Sequence, residues 1–395
     1  MADVKRVMKK PASLMFKGLA TICGVCLLGS VLAAGQAAPQ TAQQTTQPRA
    51  EQVFKNVQTL KGLPVDEFLE TMGMFAAATG LNCTDCHVDE SGGSWDRYAD
   101  DNQLQRTTRA MVGIMTAINK QYFGGRPGVT CYSCHNGNRR PKVIPSLAVQ
   151  YMVNPILDDP YEIMQPAFDA PPLDEVLDKY IAAVGGAAAL KGLTSYVAEG
   201  TYNGYDDFEQ FPVQVFAKAP NQRTTILRSQ YGDATTTFDG RAGWQASPIA
   251  LGPVPVVTLT GGNLEGRALE AELAFPGQIK QVLSNWIVGP LTAIGDREAR
   301  IVQGRKASGT PIKLYFDEES GLLVRMVRYS TESPVGRVPT QIDFEDYREV
   351  SGIKVPFKWT SIWTNGRTVY QLKNVQINAA IPATRFAAPA PPASR

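Results

Sequence analysis

The sequence predicts a multidomain chain: a mainly α-helical domain followed by an antiparallel β-rich (α+β) domain built on a curved sheet. Three observations carry this. Apolar residues recur at helical spacing between about residues 63 and 123, with glycines closing each run. From Asp174 onward the pattern changes to short alternating runs separated by turn pairs. Between the two lies a proline cluster, Pro155, Pro160, Pro166, Pro171 and Pro172, of the kind that marks a linker. At 395 residues and 44% hydrophobic content the chain can bury two cores. A formal net charge of +2 favours neither nucleic acid nor an anionic membrane surface.

The first element, residues 1–38, reads as a signal peptide. A basic stretch (Lys5, Arg6, Lys9, Lys10, Lys17) precedes an apolar run over 18–34 and then small residues, so cleavage is expected near Ala37. The apolar run approaches the ~17 residues that just span a bilayer, which leaves retention as an uncleaved inner-membrane anchor as the alternative. Cys23 and Cys26 inside it read as small apolar residues of the signal. Residues 39–50 lack aromatic side chains and are expected to be a flexible linker. The mature chain is expected to be exported to the periplasm.

Residues 51–150 hold the chemistry. Cys83-Thr84-Asp85-Cys86-His87 and Cys131-Tyr132-Ser133-Cys134-His135 contain the only two histidines of the chain and four of its six cysteines. A Cys-x-x-Cys-His segment is the attachment signature of haem c: two thiols one helical turn apart bond its vinyl groups, and the adjacent imidazole reaches the iron as proximal ligand. Zinc bound by four cysteines and a thioredoxin-like redox pair are the rival readings, and neither accounts for the histidines. Two covalently bound haem c groups are expected, held by Cys83, Cys86, Cys131 and Cys134, with His87 and His135 on iron. Haem of this kind is attached outside the cytoplasm, which agrees with the signal.

With no histidine left over, methionine is the expected distal ligand. The first helix is predicted over 63–79, with Pro64 and the acidic pair Asp66 and Glu67 in its first turn and Gly80 after it. Its apolar stripe, Val65, Phe68, Leu69, Met72, Phe75 and Ala76, points Met72 inward and Met74 elsewhere. The second helix, predicted over 106–123, carries Met111, Ile114, Met115, Ile118 and Tyr122 on one stripe, and periodicity does not separate its two methionines. For each of these methionines plain core packing is the competing reading.

Here the chain resembles a known family. Glu51 to Gly62, Met72 ahead of Leu81-Asn82 and the first motif, then Ala117 to Pro127 before Val129-Thr130 and the second motif, look like a diheme member of the photosynthetic reaction-centre cytochrome c subunit family. In that family a helix preceding each motif supplies the distal methionine. The resemblance implies Met72, eleven residues before Cys83, and Met111, twenty before Cys131, with Met74 and Met115 as fallbacks. The family's namesake carries four haems and this chain two, so electron transfer is carried over and photosynthesis is not.

Residues 151–173 are read as a Pro-rich linker and 174–381 as the β-rich domain. A helix over 173–184 opens it and another is predicted over about 265–283. Ile312, Leu314 and Phe316 alternate with Lys313 and Tyr315; Val355, Phe357 and Trp359 alternate with Pro356, Lys358 and Thr360. Asp239-Gly240, Ser320-Gly321, Ser351-Gly352 and Asn365-Gly366 mark turns, the last a hairpin signal. The order of elements looks like the half-barrel of periplasmic lipoprotein-carrier proteins, which implies a lipophilic ligand. The domain has no cysteine or histidine, which excludes a Ser-His-Asp triad or a cysteine nucleophile within it. Asp206-Asp207 and Glu318-Glu319 read as solvated turn residues. Residues 382–395, alternating alanine and proline, are expected to be a disordered tail.

The function expected is a periplasmic diheme c-type cytochrome relaying electrons between redox partners, with no catalytic residues. The alternative is a diheme peroxidase-type enzyme with one open iron site, which would need an acid-base group other than histidine. Partners are expected to be redox proteins, including a membrane-associated electron-transfer complex. Arg139, Arg140 and Lys142 near the second motif, and Asp85, Asp89, Glu90 and Asp96 near the first, are the charges expected to select them.

Overall fold

In a computed structural model of the protein, residues 47–141, 143–144, 166–204, 209–248, 252–329 and 335–390 are described. The signal segment, most of the first linker, Lys142, Asp206-Asp207 and much of the Pro-rich linker lie outside them. Among the described residues no helix is long and apolar enough to cross a membrane.

The helical region runs α1 (Ala50–Val53), α2 (Val65–Thr79), α3 (Cys83–Cys86), two short 3₁₀ turns (Asp89–Gly93 and Trp95–Ala99), α4 (Gln103–Tyr122) and α5 (Cys131–His135). Pro64 stands at the N-cap of α2, and Gly80 closes it with φ 68°. Only glycine suits that position: the conformation is left-handed, and a Cβ there would come within 2.5 Å of the Gly137 carbonyl oxygen. α4 begins three residues earlier than periodicity suggests. Asn102 and Gln105 form a reciprocal capping box there, each side chain accepting from the other's backbone nitrogen at 2.9 and 3.1 Å.

The burial of α2 departs from its apolar stripe. Val65, Asp66, Thr71, Gly73, Met74 and Ala78 are buried, while Met72 is half-buried, so Met74 is the inward-pointing methionine. The physical reason is that α2 is packed on faces the stripe does not mark. Ala78 and Gly80 admit the close approach of α5 and the turn after it, and Gly73 lies against Thr364 and Asn365, where a Cβ would come within 2.9 Å of both side-chain oxygens. In α4 the predicted stripe also splits: Met115 is buried with Val112 and Asn119, whereas Met111, Ile114, Ile118 and Tyr122 are exposed.

After α6 (Leu173–Ala183) and α7 (Gly186–Lys191) come thirteen strands, β1 (Ser195–Asn203) to β13 (Gly366–Ile377). Among the described residues they form a single antiparallel sheet. One meander, β1 to β6 (Val256–Thr258), runs outward from the centre; a second, β7 (Ser284–Ile294) to β13, returns to pair with β1. The connection between the two edge strands holds α8 (Gly261–Leu273) and a 3₁₀ turn over Pro276–Gln281, where one longer helix was expected. Pro276 stops α8 because it has no N–H to continue the ladder.

The helices cover one face of this sheet. Leu177 of α6 and its C-cap residue Val184, Leu269 of α8 and Ile279 pack against Val302, Ile312, Leu314, Phe316 and Met326. Burying that set removes most of each side chain from water, about 2 kcal/mol apiece. β9 (Pro311–Asp317) is buried along its whole length, so Lys313 and Tyr315 do not form the expected polar face. Tyr315 instead joins Ala299, Ile301, Val324, Val327 and Tyr329 on the opposite side. The tail also begins later than composition suggests. Phe386 is 2% exposed against Phe216 and Ile226, and the Arg385 carbonyl accepts a 2.8 Å hydrogen bond from Thr224.

Among the described residues, the helical region and the sheet lie in one compact unit. Asp66 accepts from the Thr260 backbone nitrogen at 2.7 Å, and Glu70 accepts from Asn263 at 3.3 Å. Met74 and Met115 share a buried cluster with Val335 and Val338.

Candidate haem centres

Each motif folds into a short helix that places its two cysteines on one turn. In the first, Asn82 Oδ1 accepts from Asp85 N at 2.8 Å while Asp85 Oδ2 accepts from Asn82 N at 2.9 Å, a capping box that starts α3 at Cys83. Asp85 is thereby committed to the fold of the motif. In the second, Thr130 N donates to Ser133 Oγ at 3.0 Å and α5 begins at Cys131. All four thiols are free, Cys83 and Cys134 exposed and Cys86 and Cys131 half-buried. Burial pushes the Cys86 and Cys131 thiols up. Among the described residues no three His, Cys, Asp or Glu side chains converge, so the four thiols do not build one zinc site.

The histidines are held by their inner ring nitrogens. His87 Nδ1 lies 2.9 Å from the Tyr98 carbonyl oxygen, and His135 Nδ1 lies 3.0 Å from that of Asn138. A carbonyl only accepts, so at His135 Nδ1 carries the proton and Nε2 keeps its lone pair, the tautomer that binds iron; at His87 the Gln105 amide nitrogen, a donor, also lies 2.8 Å from Nδ1, and the same tautomer follows there once Nε2 is on iron. Burial pushes the His87 imidazole below its usual range against the opposing pull of the Tyr98 carbonyl, and the Arg109 charge adds to the lowering. The two carbonyls come from different sources: Tyr98 reaches back from eleven residues on, whereas Asn138 is brought round by the left-handed turn at Asn136 and Gly137.

α4 ties the two motifs together by amide side chains at both its ends. At its start Asn102 Nδ2 donates to the Cys86 carbonyl at 2.8 Å. Near its end Asn119, buried, donates to the Val129 carbonyl at 2.8 Å and accepts from Val129 N at 2.9 Å, two residues before Cys131. α5 also packs on α2, and Gly137 N donates to the Ala78 carbonyl at 2.9 Å. Arg139 accordingly sits near enough to Cys86 for its charge to oppose, in small part, the rise that burial imposes on that thiol. Asn102, Gln105, Tyr98 and Asn119 are absent from the residues singled out by sequence. The Asn-x-x-Gln box was readable; the reach of Asn119 was not.

Of the four candidate methionines, Met74 and Met115 are 8% and 6% exposed in the cluster with Val335 and Val338. Met72 is half-buried beside Phe68 and Ala76, and Met111 is 47% exposed at the head of the stripe formed with Ile114, Ile118 and Tyr122. Met115 Sδ lies 3.9 Å from Cys131 Sγ.

Residues 26–155 match the photosynthetic reaction centre cytochrome c subunit family. Both motifs fall inside the match. This N-terminal part is related to those subunits. Over 107 residues it is 38% identical to the photosynthetic reaction center cytochrome c subunit of Thermochromatium tepidum, 26% of this chain and 25% of that protein. Over 102 residues it is 37% identical to the subunit of Rubrivivax gelatinosus, 25% of this chain and 26% of that protein. The chain thus spans about a quarter of the length of these relatives. Among solved structures it is similar to a LolA superfamily protein from Nitrosomonas europaea, at 14% identity and a TM-score of 0.36 over 55% of this chain and 98% of that one. It is also similar to a DUF1329 family protein from Desulfovibrio piger, at 10% identity and a TM-score of 0.38 over 55% and 97%.

Beside these centres a buried ionic cluster joins α2 to the sheet. Glu270 of α8 is within 3.5 Å of Arg328, 3.3 Å of Arg223 and 2.9 Å of Arg267. Burial works to raise Glu270, and the three guanidinium groups overcome it and hold the carboxyl below its usual range. Burial pushes Glu70 of α2 up to about 7, against the Arg328 charge and the Asn263 hydrogen bond.

Proposed function

We propose that the chain is a periplasmic diheme c-type cytochrome that relays electrons between redox partners. The observation that carries this reading is the pair of histidines whose Nδ1 atoms are engaged by backbone carbonyls, each one residue after a helical Cys-x-x-Cys turn. Cys83, Cys86, Cys131 and Cys134 would hold two haem c groups by thioether bonds, with His87 and His135 binding iron through Nε2. A bound haem supplies reversible one-electron exchange at its iron. The protein's residues orient the imidazoles and cover the ring faces.

Met72 and Met111 are the distal ligands in this reading. Met74 and Met115 are engaged in the core shared with Val335 and Val338, whereas Met72 is half-buried and Met111 exposed, both outside that cluster. Met115 lies against Cys131, one of the two cysteines that would hold the second haem. The exposed stripe of α4 offers the apolar surface that a haem face would cover. The signal-like pattern of residues 1–38 would give a periplasmic site, with an anchored form if the apolar segment is retained. Intact mass of the exported protein decides the reading: two haems surviving acid-acetone extraction support it, and zinc without iron overturns it. A high-spin ferric spectrum would favour the peroxidase-type alternative.

The sheet domain would contribute a lipophilic ligand site. A cavity of about 110 Å³ lies between sheet and helices, lined by Tyr180, Tyr196, Leu273, Phe344, Tyr347 and Trp359. It falls short of the ~300 Å³ of a typical ligand pocket, so it suits a ring or a chain segment. Quenching of Trp359 fluorescence by an acyl or quinone probe, lost in Trp359→Leu, tests it; no quenching at any concentration removes this site from the proposal.

A further inference from the structure

We infer that Gln105 is a positioning residue that raises the reduction potential of the first haem above that of the second, an inference that rests on the diheme reading. Gln105 stands in the first turn of α4. One half of its amide serves the helix, Oε1 accepting from Asn102 N at 3.1 Å. The other half faces the first motif: Nε2 lies 2.8 Å from His87 Nδ1 and 3.3 Å from the Tyr98 carbonyl oxygen. With His87 Nε2 on iron, Nδ1 must carry its proton. The Nδ1 proton and the Gln105 amide protons then converge on one acceptor, the Tyr98 carbonyl.

Two consequences follow from that convergence, and they have the same sign. A carbonyl shared between two donors accepts less strongly from each, and a more weakly donated Nδ1 proton leaves the imidazole a poorer base toward iron. The positive end of the amide dipole also faces the ring edge, where extra positive charge is felt in the ferric state. Both disfavour the ferric form. His135 is differently placed. Its Nδ1 meets only the Asn138 carbonyl among the described residues, and the Asn138 amide turns to the carbonyls of Asn136 and His135 at 2.9 and 3.4 Å. Two motifs of the same Cys-x-x-Cys-His pattern therefore have unlike settings, which gives a relay its direction.

A purely structural role for Gln105 makes a different forecast, and one substitution separates the two. Glutamate serves the N3 position of a capping box as well as glutamine does, so Gln105→Glu keeps the bond from Asn102 N and the start of α4. It replaces a donor with an acceptor for the Nδ1 proton. Spectroelectrochemical titration of the full-length protein carrying both haems should then show one of the two potentials lowered by a roughly tenfold change in the reduction equilibrium, 59 mV for one electron, and the other unmoved. Gln105→Leu should lower the same potential by less. Coincident titrations of Gln105→Glu and wild type, or a raised potential, overturn the inference. If Gln105→Glu fails to mature, an unchanged or raised potential in Gln105→Leu overturns it. Wild-type protein with fewer than two haems is a separate outcome and removes the diheme reading itself.

Discussion

Asp66, in the first turn of α2, accepts from the backbone nitrogen of Thr260 at 2.7 Å and from its hydroxyl at 2.8 Å, and Thr260 is the N-cap residue of α8. A carboxylate from the helix leading into the first haem motif thus caps the helix that spans the sheet. It meets the positive end of the α8 dipole as well as an otherwise unpaired N–H. Asp66→Ala leaves that part-buried nitrogen without its partner and should cost about 1 kcal/mol, read as a lowered midpoint in urea with an unchanged slope.

The same contact bears on the separability of the regions. A chain ending near residue 147 keeps every proposed haem ligand and loses the partners of Asp66, Glu70 and Met74. It should acquire both haems and melt below the full-length protein in differential scanning calorimetry. Failure to acquire haem would mean that the sheet helps to form the centres.

Ligation is tested by spectrum. With Met72 and Met111 on iron, the oxidised protein should carry the weak far-red band of sulfur ligation, and Met72→Ala and Met111→Ala should each lose part of it. Unchanged spectra in both variants would move the ligands to Met74 and Met115.

Glu270→Gln tests the buried cluster. It leaves Arg328 and Arg267, both beside Glu270, without their carboxylate, and removal of one member of such a buried set costs about 3–5 kcal/mol. A chemical-denaturation midpoint equal to that of wild type would show that the charges are solvated in solution.

Arg139 and Arg140 are exposed beside the second motif. Reversing both to glutamate should slow electron exchange with the native partner at low ionic strength and flatten its salt dependence, since exposed charges are felt over about one Debye length, ~10 Å at 0.1 M. Stopped-flow rates that stay the same at low salt would remove these residues from the docking surface.

Much of this protein is written in its local sequence. Cys-x-x-Cys-His is a contiguous chemical unit, and Pro64, Gly80 and Ser351-Gly352 act on the backbone within a few residues of themselves, so the motifs, the bounds of α2 and the β11–β12 turn (Pro339–Val350 and Ile353–Trp363) could be read without a fold. The α-then-β order follows from the same local periodicities. What the tertiary structure decided are the relationships between distant residues. Periodicity marks apolar faces, yet Met74 rather than Met72 is inward because Gly73 and Ala78 let the Asn365 hairpin and α5 approach closely, and residue size matters there more than hydrophobicity. The partners of His87 and His135, the span of α4 between the motifs and the two-sided burial of β9 all depend on segments meeting in space. Hydrogen bonds and close packing act over a few ångströms, and only the fold determines which residues come that near.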